Sequence, residues 1–184
     1  MPLTGELAQC VYLSLVSDTG SFTHGNTSAA VFTLAARLVA NGLDAAAIRE
    51  KLDNQWSMPK TKLWGKLMQT LSLECDGTVA GCPVTMEEIG SFGAVREDLE
   101  GFAEQMRRIK GVRVAALIRQ DPGNRCKLSL RSSGSDDVRS VAAFFGGGGH
   151  LNAAGATIDD ADMDAVTRQT IQAIQDITFG AGKK

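Results

Sequence analysis

The sequence predicts an α/β fold with a mixed sheet, and three observations carry that prediction. After residue 71, strand-like and helix-like segments alternate. Tight-turn sequences, Asp76-Gly77 and "DPGN", each sit between two short apolar runs. Between and after those hairpins lie segments with apolar residues at helical spacing.

The elements follow in chain order. "LAQCVYLSLVSDTGSF" is too short an apolar run to choose between helix and strand, and it ends at a polar turn around Asp18, Thr19 and Gly20. In "HGNTSAAVFTLAARLVANG", Val31, Leu34, Ala35, Leu38 and Val39 recur at helical spacing, with Thr27 as the cap and Gly42 as the stop. Asp44 caps a second short helix that carries Ile48 and Leu52. "NQWSMPK" reads as a linker, and "TKLWGKLMQTL" then places Leu63, Leu67 and Leu71 on one stripe.

"LSLECDGTVAGCPV" reads as two strands around Asp76-Gly77. A helix is predicted from about Ala94 to Ile109, built on Val95, Leu99, Phe102, Met106 and Ile109. Acidic residues near its start and basic ones near its end complement its dipole. "VRVAALIRQ" and "RCKLSLRS" form a second hairpin. In its second strand Cys126, Leu128 and Leu130 share one face, and Lys127, Ser129 and Arg131 the other. Ser135 or Asp136 caps a helix bearing Val138, Val141, Ala142 and Phe145, which the glycine run ends. "GATI" returns as a strand, and a last helix carries Val166, Ile174 and Ile177.

Composition narrows the function classes. The chain has 184 residues, 43% of them hydrophobic and 22% charged, and its net charge is −2. Such a chain has no global positive field with which to hold long nucleic acid, so a phosphate-bearing ligand needs a local site. No uncharged apolar run reaches about 18 residues, so no membrane span is expected, and the N-terminus lacks the basic start of a signal peptide. Cys10, Cys75, Cys82 and Cys126 have no metal-ligand spacing and read as reduced core thiols of a cytoplasmic protein.

Three segments can carry chemistry. In "AFFGGGGHLNAAGATI", four glycines end in His150. Glycine is costly to order. The run is therefore either a mobile connection or a backbone cradle whose N–H groups surround an anion, helped by a following helix start, with His150 as a donor at its mouth. Arg131 ends a strand on its polar face. It is either a solvated surface charge or a two-point phosphate ligand. Asp18 lies in "SDTGSFTHGNT" and is either an Asx-turn residue or a metal-binding carboxylate. With two histidines in the whole chain and no other Asp in that segment, a two-metal ligand set is not complete here.

"SDTGSFTHGNT", "LSLRSSG" and "GGGGHLNAAG" stand in the order found in the C-terminal part of the DHH phosphoesterase family, and the chain resembles its oligoribonuclease and 3′-phosphoadenosine 5′-phosphate phosphatase branch. "GGGGHLNAAG" is similar to the signature of the DHH-associated domain, and "SDTGSF" to the last metal motif of the catalytic domain. The Asp-rich motifs and the Asp-His-His triplet that open the family pattern do not occur.

The resemblance implies residues 1–55 as a helical remnant of the DHH catalytic domain, 56–70 as a connecting helix, and 71–184 as a mixed-sheet substrate-binding domain. It implies that Arg131, Ser132, Gly147, Gly148, Gly149, His150 and Asn152 hold the substrate's phosphate and terminal nucleotide. It makes Asp18 the remaining manganese ligand. The implied substrate is a short single-stranded oligonucleotide or 3′-phosphoadenosine 5′-phosphate, hydrolysed by a water that two manganese ions activate in the full-length enzyme. A missing N-terminal DHH domain is the implied partner, a homodimer is a further expectation, and this chain alone is expected to be inactive. Residues 1–55 are expected to expose a face meant for the missing half, which predicts either self-association or a mobile N-terminal region. Another DHH phosphoesterase activity, on cyclic dinucleotides or single-stranded DNA, and a non-catalytic nucleotide-binding module remain the alternatives.

Overall fold

The computed structural model describes residues 3–23, 25–53 and 55–180. The chain divides into two compact units, Met1–Trp56 and Ser57–Lys184.

The first unit is helical: α1 (Gly5–Asp18), α2 (Ala29–Ala40) and α3 (Ala45–Asp53). The ambiguous first segment is thus a helix. Ser28, not Thr27, caps α2, its hydroxyl accepting from the Val31 N–H at 3.4 Å. Asp44 caps α3 as expected, its carboxylate accepting from the Ala47 N–H at 2.9 Å. Few apolar residues are buried here. Ala8, Leu38 and Ile48 are, whereas Phe32 and Val39 are 55% and 50% exposed. Phe22 stacks on Phe32 with ring centroids 5.6 Å apart, and Tyr12 meets Phe22 at a tilt with centroids 6.2 Å apart.

The second unit is a six-stranded mixed sheet with helices on both faces. Its strands are β1 (Ser72–Glu74), β2 (Val79–Val84), β3 (Val114–Asp121), β4 (Arg125–Ser132), β5 (Gly148–His150) and β6 (Ala153–Ile158). They lie in the order β1-β2-β3-β4-β6-β5. Both expected hairpins form, and β2 pairs parallel with β3 across a helical crossover. The helices are α4 (Met58–Thr70), α5 (Met86–Ser91), α6 (Phe102–Arg107), α7 (Val138–Phe144) and α8 (Met163–Ala173), which runs on into a π-helical turn, Ile174–Phe179. Among the described residues no single helix is long and apolar enough to cross a membrane.

Strand alternation sorts the core into two. Val79, Val114, Ile118, Leu128 and Leu130 point to one face and pack under α7, α8 and the π-helical turn. Ala80, Cys82, Val84, Ala115 and Leu117 point to the other and pack under α4, α5 and α6. The segment read as connecting therefore belongs to this second core, because Leu63, Trp64 and Leu67 of α4 are buried there. The Trp64 indole N–H donates to the Asp98 carbonyl at 2.7 Å, and its ring meets Phe102 edge-on at 5.3 Å.

The predicted helix from Ala94 to Ile109 is not one helix. A 3-10 turn over Arg96–Leu99 stops at Glu100, Gly101 takes φ +84°, and α6 restarts at Phe102. A left-handed residue cannot continue a right-handed helix. The apolar spacing survived the break because Leu99, Phe102 and Met106 still bury on one side. Of the cysteines, Cys82 and Cys126 are buried, Cys75 is half-buried, and Cys10 is exposed rather than in the core. Burial pushes the Cys82 thiol up to about 12, so it is not a nucleophile near neutral pH.

Candidate functional site

On the second face α6 lies over β3 and reaches the near side of β4. Beyond it the residues of β6 and β5 on this face are small or polar and none joins the second core. Register fixes which ones share this face: Arg131 pairs with Ala153, and Ala153 pairs with His150. Directly opposed residues point the same way, so Arg131 and His150 stand on one row with only an alanine between them, about 10 Å apart across two strand spacings. Ser129 and Gly155 make the next row with Gly148, and Lys127 and Thr157 the one after.

This floor and the edge of the helical layer bound a groove of about 810 Å³. Its wall is the broken segment, with Leu99, Glu100, Ala103 and Glu104, and its floor holds Arg119, Lys127, Ser129 and Arg131. Many of its charges are paired. Arg119 donates to Asp121 through two bonds of 2.7 and 3.0 Å, and Arg107 meets Glu104 at 2.5 Å. Among the described residues neither Lys127 nor Arg131 has a carboxylate within ion-pair distance. The Arg131 guanidinium donates to the Leu130 carbonyl at 2.9 Å, which leaves further N–H groups of its fork for a ligand.

Arg119, through its hydrogen bonds first, holds the Asp121 carboxyl below the usual carboxylate range. A lowered carboxyl adds stability above its unfolded-state value, about 3.9, and loses it as pH falls through the folded value. Asp121→Asn is therefore expected to destabilise the protein at pH 7 by about 1–2 kcal/mol. Melting curves should show that difference shrinking steadily below pH 4; a difference that persists at pH 2 would mean that the charged pair is not its source.

The glycine run does not form a loop in front of a helix. It forms the edge strand β5 and then, through the two-residue turn Leu151-Asn152, the hairpin to β6. The expected contribution from a following helix start is thus absent. The glycines are also not equivalent. A Cβ on Gly147 would collide with the Gly155 carbonyl oxygen and lie 2.6 Å from the Ala156 Cβ. A Cβ on Gly149, at φ +145°, would lie 2.5 Å from the Ala153 carbonyl oxygen. These two let β5 approach β6. A Cβ on Gly148 meets nothing within 4 Å and faces the open row.

Ser132 and Asn152 have internal work. Ser132 is buried, its hydroxyl donating to the Asp136 carbonyl at 2.6 Å. The Asn152 amide donates to the Ser132 hydroxyl at 2.9 Å and to the Gly134 carbonyl at 3.2 Å. The Val138 N–H donates to the Leu151 carbonyl at 3.0 Å. Together these bonds tie the start of α7 to the turn after His150. Neither Ser135 nor Asp136 caps α7; Asp137 does, accepting from the Arg139 and Ser140 N–H groups. Asp136 is instead clasped by Arg113 at 2.9 and 2.5 Å, and Arg113 lies 4.3 Å from the Phe179 ring centre. Lys127 and the groove wall were not singled out from the sequence. Lys127 was visible in the alternation of "RCKLSLRS"; the wall was hidden by the unbroken helical spacing.

The family model for the DHHA1 domain matches residues 78–176, from the start of β2 into the π-helical turn. The chain belongs to the DHHA1 domain family. This DHHA1 chain is 31% identical over 180 residues to the bifunctional oligoribonuclease and PAP phosphatase NrnA of Thermus thermophilus, covering 97% of itself and 53% of that protein. It is 27% identical to the cyclic-di-AMP phosphodiesterase PdeA of Listeria monocytogenes, covering 92% of itself and 25% of that protein. The crystal structure of an exopolyphosphatase-related protein from Bacteroides fragilis superposes with a TM-score of 0.87 at 32% identity, over 94% of this chain and 51% of that one. The DHHA1 chain thus spans about half the length of NrnA and of the Bacteroides structure.

Asp18 lies in the first unit, exposed at the end of α1, where its carbonyl accepts from the Asn26 amide at 3.0 Å. His24, in the same motif, lies outside the described residues. Among the described residues no three His, Cys, Asp or Glu side chains gather where a metal could sit. A hard cation needs several such donors at once. The described residues of this DHHA1 chain do not fit a manganese centre.

Proposed function

We propose that the open face of β4, β6 and β5 is the phosphate-holding part of a DHH-family phosphoesterase, with a short single-stranded oligonucleotide or 3′-phosphoadenosine 5′-phosphate as the ligand. The observation that carries this reading is the row Arg131–Ala153–His150, which leaves an alanine-floored gap between a guanidinium and an imidazole at the edge of a groove with unpaired cations. Arg131 supplies a planar fork for two phosphate oxygens. His150 donates from the opposite side, and Gly148 keeps the neighbouring row open. Ser132 and Asn152 act one layer back by fixing the turn that carries His150. The manganese chemistry belongs in this reading to the part of the relatives' length that the chain does not span, with Asp18 contributing one carboxylate.

Calorimetry with adenosine monophosphate and a short oligoribonucleotide tests the site. A charge-assisted hydrogen bond contributes roughly 1.5–3 kcal/mol. Arg131→Ala and His150→Ala are each expected to weaken binding by about tenfold to a hundredfold. Arg131→Lys should restore only part of the loss, since a point charge lacks the fork. Wild-type affinity in both alanine variants would place the ligand elsewhere.

A further inference from the structure

We infer that the apolar pocket at the hairpin end of the groove is a nucleobase subsite, taking one base of an oligonucleotide whose phosphate is held by Arg131 and His150. The inference rests on the phosphate-holding reading above. The pocket encloses about 380 Å³ where β3 turns towards β4, with Met86, Ile89 and Val95 on one side and Gln120 and Pro122 on the other. Arg96, Glu97 and Asp121 border both this pocket and the basic groove, so the two spaces adjoin.

Their chemistry differs. Met86 and Val95 are 47% and 56% exposed, apolar side chains left open beside a charged groove. A flat aromatic ligand lying on them removes that surface from water. Gln120 adds a polar edge. Its Oε1 accepts from the Met86 N–H at 3.3 Å, which turns the amide so that Nε2 remains as a donor. An apolar surface with one donor beside it suits a nucleobase, which has π faces and acceptors on its rim.

Length decides the class of ligand. Arg131 pairs with Ala115, and Asp121 at the pocket stands six residues further along β3. That is roughly 20 Å of strand, beyond the reach of one nucleotide. A ligand that occupies both ends is an oligonucleotide, and Lys127 lies between them for an intervening phosphate.

The test is titration of the full chain with a trinucleotide of adenosine and with two versions of it, each lacking the base at one end. Removing one of the two end bases is expected to weaken binding about tenfold. In the double variant Met86→Ser, Val95→Ser, the intact trinucleotide should bind no better than that abasic version. Both positions are exposed, and an unchanged circular dichroism spectrum checks the fold. Equal affinity of all three ligands for the wild type, or an unchanged preference in the double variant, overturns the subsite. Arg131→Ala separates the two readings. A base preference that holds while Arg131→Ala has no effect defeats the phosphate site and leaves the subsite; dependence on Arg131 without a base preference does the reverse.

Discussion

Gly147→Val is expected to detach the edge of the sheet, and Gly148→Val, one residue on, to leave the fold intact while emptying the site. At Gly147 the added Cβ would fall on the Gly155 carbonyl oxygen. That atom belongs to a paired strand, so β5 must move away from β6. Overpacking against well-ordered neighbours costs about 1–3 kcal/mol, and more when the obstacle is backbone. The loss reaches function too, because His150 ends the displaced strand. Gly148 has open space on the same side as Arg131 and His150, and a β-branched residue suits an extended strand. Its two methyl groups would crowd the proposed phosphate position from the neighbouring row. Thermal melts should therefore separate the two variants, and nucleotide titrations should find both defective. A folded Gly148→Val protein that binds nucleotide like the wild type would show that the ligand does not cross this row.

The second large effect is an expected silence. Purified chain given manganese and a short oligoribonucleotide or 3′-phosphoadenosine 5′-phosphate should show no steady turnover. Asp18 is one carboxylate at a helix end, and among the described residues no second and third ligand gather with any such group. One carboxylate would hold a hard cation only weakly, so few molecules would carry one at a time, and no second ion would stand by to stabilise the leaving oxygen. Nucleotide binding is a separate property and should persist, since Arg131 and His150 belong to the second unit. Steady hydrolysis abolished by Asp18→Ala would prove that a complete metal site exists in this chain.

Much of the second unit was legible because its signals are local. The turn residues of the two hairpins and the alternation in "RCKLSLRS" each act within a few positions, as does the acidic cap of α3 in the first unit. Where the reading went astray, a distant partner decided. Asp136 would serve as a helix cap, but Arg113 claims its carboxylate and Asp137 takes the capping position. Gly101 interrupts an apolar pattern that still reads as continuous, because the residues on either side of it reach the same core. The crossover helix α5 went unread in a segment too short for periodicity to show. For the candidate site, the sequence pointed to Arg131 and His150 separately. That they share a row depends on the pairing of β6 with both neighbours, and no feature of either segment alone announces it.

That strand has a further consequence. The face of β6 between Arg131 and His150 carries Ala153, Gly155 and Thr157, so it contributes spacing and almost no chemistry. In the proposed site it works as a blank ruler between the strands that carry Arg131 and His150. Substitutions on β4 or β5 can change which ligand atoms are met without altering the distance between the two sides, and a larger side chain on β6 closes the gap for every ligand alike. Under that proposal, ligand choice on this chain can be redesigned at the positions beside the blank strand, provided Ala153 and Gly155 stay small.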